Sequence, residues 1–285
     1  MLDLRYHVAS LSAVFLALVV GILVGVGISG RGFVDKSERR NFENRIAALQ
    51  ARADQLTAEK ELLSQQGHAA ESFVEDTYPV LMRDRLAGKR IAVVVIGPSG
   101  GAAGSDVTRA LADAGGTTAL YRAVKAPVTL APLRAALTNH KGFRALPDIA
   151  HELGQEWVTG GATPVADQVS PLLVEEQRGA TGRPIDAVVV IERVAPADGP
   201  TERFLSGLLN GLREGGVPLV GAEEVDASPS LVPSWQAVRG MSSVDDVDTP
   251  SGKLALVLLL GGAPPGSFGL KPTADAPLPR IEPAA

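Results

Sequence analysis

Two short stretches of this chain hold residues whose types and spacing could do chemistry. The first is Gly97-Pro98-Ser99-Gly100-Gly101-Ala102-Ala103-Gly104. It follows the apolar run Ile91-Ala-Val-Val-Val-Ile96 and precedes a helical pattern, where α/β proteins cradle phosphate on backbone N–H groups. No Lys-Ser or Lys-Thr pair follows, so it is not a P-loop. Nor does it match G-x-G-x-x-G, because Ser99 stands where the glycine preceding Gly101 and Gly104 is needed. Tyr121 and Arg122 lie at the end of the next strand, in place of a ribose-binding carboxylate. The expectation is an ordinary flexible turn, with nucleotide binding as the alternative. The second stretch carries Asp245, Asp246 and Asp248, oxygen ligands of the kind that hold a hard cation such as calcium. Lying just before Thr249-Pro250-Ser251-Gly252, these acids are expected to form a solvated loop.

The rest of the inventory excludes more than it suggests. His7, His68, His140 and His151 are scattered, there are 3 methionines and no cysteine. Soft metals take thiolate, thioether or imidazole, so no metal ligand set and no cofactor is expected. No G-x-S-x-G elbow supports a hydrolase, and no enzyme emerges. A net charge of −5 leaves no basic footprint for nucleic acid. Aromatic residues make up only 4% of the chain, which leaves few anchors for a protein-binding surface.

The elements that must position these residues begin with an anchor. Val8–Ile28 is a run of 21 residues without a charge, Asn, Gln or Pro. As a helix it spans roughly 30 Å, the thickness of a bilayer's hydrocarbon core. A cleaved signal would carry a shorter apolar region, although Gly27-Ile28-Ser29 satisfies a small-x-small cleavage rule. The length favours a retained transmembrane helix over 8–28, behind a short tail of residues 1–7. Ala9, Ala13, Ala17, Gly21, Gly25 and Ser29 recur every four residues. A four-residue step drifts about 40° around a helix, so only the central Ala13, Ala17, Gly21 and Gly25 could face one partner helix. Lys and Arg are denser after the span (Arg31, Lys36, Arg39, Arg40) than before it (Arg5), which by charge alone would place the larger part in the cytoplasm.

A coiled coil is expected over 37–66. Phe42, Leu49, Leu56 and Leu63 take the d positions, with Ile46 and Ala53 at a and the polar Arg39 and Lys60 at the outer a positions. The e and g charges do not pair well, so the coil would rely on the adjoining anchor to form a parallel homodimer. The alternative is a solvated helix packed on its own domain. Residues 67–89 read as a helical linker broken or kinked at Tyr78-Pro79. From 90 to 260 strand patterns alternate with helices: strands at 91–96, 117–124, 185–194 and 217–220, helices at 105–114 and 201–214, and a mostly helical middle over 130–177. Leu254–Leu260 is the last hydrophobic run. The fold class is α/β, a mostly parallel sheet covered by helices on both faces, behind a transmembrane helix and a stalk. Residues 261–285 read as an irregular Gly/Pro-rich tail.

Two stretches together carry a family resemblance. The opening Leu4-Arg5-Tyr6-His7-Val8-Ala9-Ser10-Leu11-Ser12-Ala13-Val14-Phe15-Leu16-Ala17-Leu18, with Gly21 and Gly25, resembles the start of the actinobacterial copper transport protein B family. Ser243-Val244-Asp245-Asp246-Val247-Asp248, then Gly252-Lys253 and a hydrophobic strand, resembles that family's C-terminal motif, and Gly261-Gly262 and Phe268-Gly269 its glycine-rich close. The resemblance implies a single-span envelope protein with its domain outside the cytoplasmic membrane, linked to copper efflux or tolerance. It also implies copper ion as a partner, beside membrane lipid. Relatives in cell-wall maintenance and division imply instead a structural role with an envelope protein partner. One span with only Ser10 and Ser12 as polar lining cannot by itself be a conduit.

Overall fold

The computed structural model describes residues 4–29, 34–136, 145–193 and 199–282. The chain divides into two units, Met1–Ala70 and Glu71–Ala285. In the first, α1 (Leu4–Ser29) contains the apolar stretch Tyr6–Gly27, long enough to cross a membrane. Helix α2 (Val34–Met82) follows and runs on into the second unit. All six heptad residues, Phe42, Ile46, Leu49, Ala53, Leu56 and Leu63, lie on α2 and are exposed in the single chain.

Of the break or kink expected at Tyr78-Pro79, the break does not occur: α2 continues through Pro79 to Met82. Proline removes one i to i−4 hydrogen bond and usually disfavours helix in the residue before it. Here tertiary burial outweighs that preference. Met82 and Leu86 are fully buried, and the Tyr78 hydroxyl donates to Asp113 Oδ2 at 3.1 Å. Burial and the Asp113 carboxylate both push the Tyr78 phenol up, so it stays the donor.

The second unit is built on one sheet. After β1 (Arg90–Ile96) come α3 (Ala102–Asp113), β2 (Thr117–Val124), α4 (Leu130–Ala136), α5 (Leu146–Thr159) and α6 (Pro164–Leu173). Then follow β3 (Val174–Arg178), β4 (Ala187–Glu192), α7 (Gly199–Glu214), β5 (Leu219–Ala222), α8 (Val232–Gln236), β6 (Ser242–Val244), α9 (Pro250–Gly261) and β7 (Ser267–Phe268). The strand order is β3-β2-β1-β4-β5-β6-β7, parallel throughout except for the antiparallel edge strand β3. Strand β1 pairs with β2 on one side and β4 on the other, Val94 lying opposite both Arg122 and Val190.

Alternate residues of β1 feed two cores. Ala92, Val94 and Ile96 pack with α5, α6 and α7, while Ile91, Val93 and Val95 pack with α3, α9 and the end of α2. Because both faces are covered, the strand reads as a continuous apolar run. The expected strands and the helices at either end therefore fall close to their observed positions. The run Leu254–Leu260, expected as a strand in the family motif, is instead the core of α9. Complete burial erases the period that tells helix from strand. The deciding signals are at its ends: Thr249 caps the helix by accepting from the Gly252 N–H at 3.0 Å, Pro250 opens it, and Gly262 closes it at φ 109°. The Gly/Pro-rich stretch after Gly261 is mostly irregular, yet it supplies β7, which joins β6 at the sheet edge.

The tightest contact between helices joins α5 and α7. A Cβ on Gly154 would lie 2.6 Å from the Leu208 carbonyl oxygen, and one on Gly211 would lie 2.0 Å from that of His151. Backbone cannot rotate aside as a side chain can. Gly211→Ala should therefore lower the thermal midpoint, because overpacking costs about 1–3 kcal/mol against about 1 kcal/mol of improved helix propensity. Gly104→Ala, where a Cβ meets nothing within 4 Å, should raise or preserve it. A Gly211→Ala protein as stable as the Gly104→Ala protein would refute the close approach.

Candidate functional site

The sheet reverses winding direction at β1 and β4. From β1 the chain crosses through α3 to β2 on one side, and from β4 through α7 to β5 on the other. In open α/β sheets, ligands bind outside the carboxyl ends of strands at such a switch point. The loop 97–101 leaves β1 there, Arg193 leaves β4, and the Arg193 N–H donates to the Ile96 carbonyl at 2.9 Å.

The glycine loop is occupied by a side chain of the protein itself. The Arg193 guanidinium donates to the carbonyl of Pro98 at 3.2 Å and to that of Gly100. Gly101, at φ 108°, caps α3, and a Cβ there would lie 2.6 Å from Arg193 Cζ. A cation thus sits against a helix N-terminus, where a nucleotide phosphate would be expected. The loop is a turn clamped by arginine, and α3 starts at Ala102, three residues before the sequence-based boundary.

Beside it lies a crevice of about 240 Å³ lined by Glu192, Arg193, Glu223, Glu224, Ser228 and Leu231, among others. Burial pushes the Glu192 carboxyl up, against the hydrogen bond it accepts from the Trp235 indole N–H at 3.3 Å. Burial also raises Glu224, helped by Asp226 and Asp248 nearby. Glu223 is saturated: Lys271 Nζ at 2.6 Å, Ser230 Oγ at 2.5 Å and the Leu231 N–H at 2.8 Å all donate to it. Lys271 also donates to the carbonyls of Glu224 and Ala227, so Glu223 belongs to a fastening. Glu192 and Glu224 are thus two crevice carboxyls that burial holds above the ordinary carboxylate range.

The acids of the C-terminal motif do not form the solvated loop expected from their sequence. Asp245 is 1% exposed and Asp246 is fully buried. Asp245 Oδ1 accepts from the N–H groups of Leu270 (2.8 Å) and Lys271 (3.2 Å), so it holds the tail. Asp246 Oδ2 accepts from Thr249 Oγ1 (2.8 Å) and Ser251 Oγ (3.3 Å), which shapes the start of α9. Asp248 Oδ1 accepts from the Val225 N–H at 2.9 Å, tying in the loop after β5. Sequence reasoning missed this because the pattern of three acids before a turn carries no sign of the N–H donors that arrive from residues 225 and 270–271.

The other named residues are dispersed. His7 lies on α1, His68 on α2, and His151 on α5, paired with Glu214 at 2.9 Å. His140 lies outside the described residues. Met82 and Met241 belong to the two opposite cores. Among the described residues, no group of three or more His, Cys, Asp and Glu side chains could hold a metal ion, calcium included. Ala13, Ala17, Gly21 and Gly25 lie on α1, and Gly21 and Gly25 meet nothing within 4 Å in the single chain.

One N-terminal helix long and apolar enough to cross a membrane, ahead of a helix-covered, mostly parallel sheet, defines the class as an α/β protein with a candidate membrane span. A family model described as "Copper transport outer membrane protein, MctB" matches residues 1–279, and the chain belongs to that family. It is similar to proteins named "Copper transporter MctB" from Mycobacterium tuberculosis and Mycobacterium bovis. These are 24% identical over 319 aligned residues, covering 94% of this chain and 96% of each relative.

Asp246 makes the motif testable through pH. Burial, with Asp245 and Asp248 adding to it, raises its carboxyl above the ordinary 3.8. The folded chain thus binds this proton more tightly than the unfolded chain, and stability falls as pH rises above that ordinary value. Glu192 and Glu224 contribute with the same sign. Asp246→Asn should flatten the decline of the thermal midpoint between pH 4 and 7 without abolishing it. Parallel profiles for the two proteins would show that Asp246 ionises in the fold as freely as in the unfolded chain.

Proposed function

We propose that this chain is a single-pass, membrane-tethered component of copper efflux or tolerance. In this reading its α/β unit lies in the cell envelope outside the cytoplasmic membrane, and it acts as an accessory to transport. Family membership across residues 1–279 carries the reading, and the relatives, named as copper transporters, supply copper as the cargo. The chain's own residues support an accessory over a conduit. A single helix encloses no path, and within Tyr6–Gly27 the polar side chains cluster at one end, at Tyr6, His7, Ser10 and Ser12. The sheet supports no pore either: its strands are 2 to 8 residues long, mostly parallel and buried under helices. A membrane barrel needs closed antiparallel strands of about 9–11 residues.

In the same reading two copies associate in parallel. Ala13, Ala17, Gly21 and Gly25 form the contact between anchors, and Phe42, Ile46, Leu49, Ala53, Leu56 and Leu63 the seam of a coiled coil. The support is exposure: Phe42 is 61%, Leu49 68% and Leu63 67% exposed in the single chain. A row of large apolar side chains along a helix in water calls for a partner. Gly21→Leu in the full chain should cut self-association several-fold in a membrane two-hybrid assay. An unchanged signal would remove the small-residue row from the interface.

A second reading, an interaction protein in cell-wall assembly or division, is favoured by one observation. The switch-point crevice presents carboxyl groups beside an arginine clamp, a polar surface, and contact with a protein partner needs no metal-type ligand cluster. A deletion strain separates the two. Copper hypersensitivity restored by the full chain supports the copper role. Normal copper tolerance with abnormal septation and raised sensitivity to cell-wall antibiotics would reject it in favour of the second.

A further inference from the structure

Arg122 is a buried cation with no counter-charge among the described residues. It lies on β2 between Leu120 and Val124, on the sheet face covered by α5, α6 and α7, and is 5% exposed. Its guanidinium donates only to carbonyls: Nη1 to Tyr121 (2.7 Å) and Arg178 (2.8 Å), Nη2 to Gly179 (3.2 Å). Among the described residues no carboxylate pairs with it, and its Nε–H, also shielded from water, finds no acceptor there. Guanidinium keeps its charge at any physiological pH, so this position cannot escape the cost of burial by losing a proton. Buried charges in folded proteins are paired or coordinate metals, and a guanidinium can only be paired.

A second unsatisfied donor lies in the same place. Trp157 on α5 is 1% exposed, and its indole N–H has no acceptor among the described residues. Both residues line a cleft of about 430 Å³, walled by Ala166, Ser170 and Pro171 of α6 and by the end of β3 with the turn that follows it, residues 177–181. That turn is held tightly against β2, since a Cβ on Gly179 would lie 2.0 Å from the Ala119 carbonyl oxygen. Its carbonyls fix the Nη side of Arg122 and leave the Nε edge uncommitted. The one acid of the lining, Asp167, is exposed and accepts from Thr163 Oγ1 at 3.1 Å.

We propose that this cleft is a binding site for an oxyanion, a carboxylate or phosphate group of a small ligand, held by the Arg122 Nε edge and the Trp157 indole N–H. An oxyanion would supply the missing counter-charge and accept both orphaned hydrogens, and guanidinium geometry suits such planar or tetrahedral groups. The cleft opens past Gln177, Ala180 and Asp167, all of them exposed. The site is independent of the copper reading, because it lies at the β3 edge of the sheet and uses none of the switch-point residues.

The test uses the 15N-labelled full chain in detergent micelles. Its 2 tryptophans give two indole N–H signals. Sodium acetate, sodium phosphate and sodium chloride are titrated separately at matched ionic strength. The expected result is a saturating shift of the Trp157 signal, with Trp235 unmoved, for acetate or phosphate and not for chloride. Acetate alone identifies a carboxylate ligand, and phosphate alone a phosphate-bearing one. Arg122→Lys, which keeps the charge and loses the fork, should weaken the response at least tenfold. Ser170→Phe, which fills the cleft and leaves Arg122 in place, should abolish it. No saturating shift with either oxyanion, an equal shift with chloride, or an undiminished response in the folded Ser170→Phe protein would overturn the proposal.

Discussion

The second unit depends on the burial of β1. A strand paired in parallel on both sides, with Ile91 to Ile96 almost wholly excluded from water, satisfies its backbone only if β2 and β4 both lie against it. Its side chains then need helices above and below. That requirement recruits α5 and α7 to one face, and α3, α9 and the end of α2 to the other. It also sets the switch point, because the chain leaves β1 and β4 toward opposite edges.

What stands at the switch point is decided by charge and space. In nucleotide-binding proteins built on a doubly wound sheet the helix N-terminus meets phosphate. Here Arg193 takes that place, and Gly101 is the residue that leaves room for the guanidinium. The crevice next to it shares its walls with the fastening of the C-terminal segment. Asp245 gathers the N–H groups of Leu270 and Lys271, and the Lys271 ammonium then reaches Glu223 at the end of β5. A motif with the look of a surface acidic loop is therefore a buried tie between β6, the loop after β5 and the tail. Leaving carboxylate oxygens of Asp245 and Asp246 without partners has a cost, and the raised affinity of Asp246 for its proton is where that cost appears.

Legibility followed the physical origin of each signal. The strands Arg90–Ile96 and Thr117–Val124 were readable because β-branched runs bounded by Gly and Pro have few other uses. The helix Pro250–Gly261 was not readable as a helix from its hydrophobicity, since burial on all sides leaves no period; only Thr249-Pro250 and Gly262 carry the information. Edge strand β3 was absorbed into a helical stretch, because Val174–Arg178 is polar and its pairing to β2 is antiparallel and distant in sequence. Arg122 was noticed only for not being a carboxylate. Nothing in the sequence shows that the carbonyls of residues 178 and 179 fold over it while no acid follows.

By itself the sequence determined the apolar span, the long helix after it, the alternating strands and helices, and the family, because these depend on local composition, period and order along the chain. Only the tertiary structure decided that Asp245 and Asp246 are buried, that Arg193 closes the glycine loop, that Gly211 rather than Gly21 or Gly25 meets a neighbouring backbone within the single chain, and that Arg122 and Trp157 face one cleft. Each of those outcomes joins residues tens of positions apart. Which donors meet which acceptors across such distances is set by the packing of whole elements, and local pattern carries no record of it.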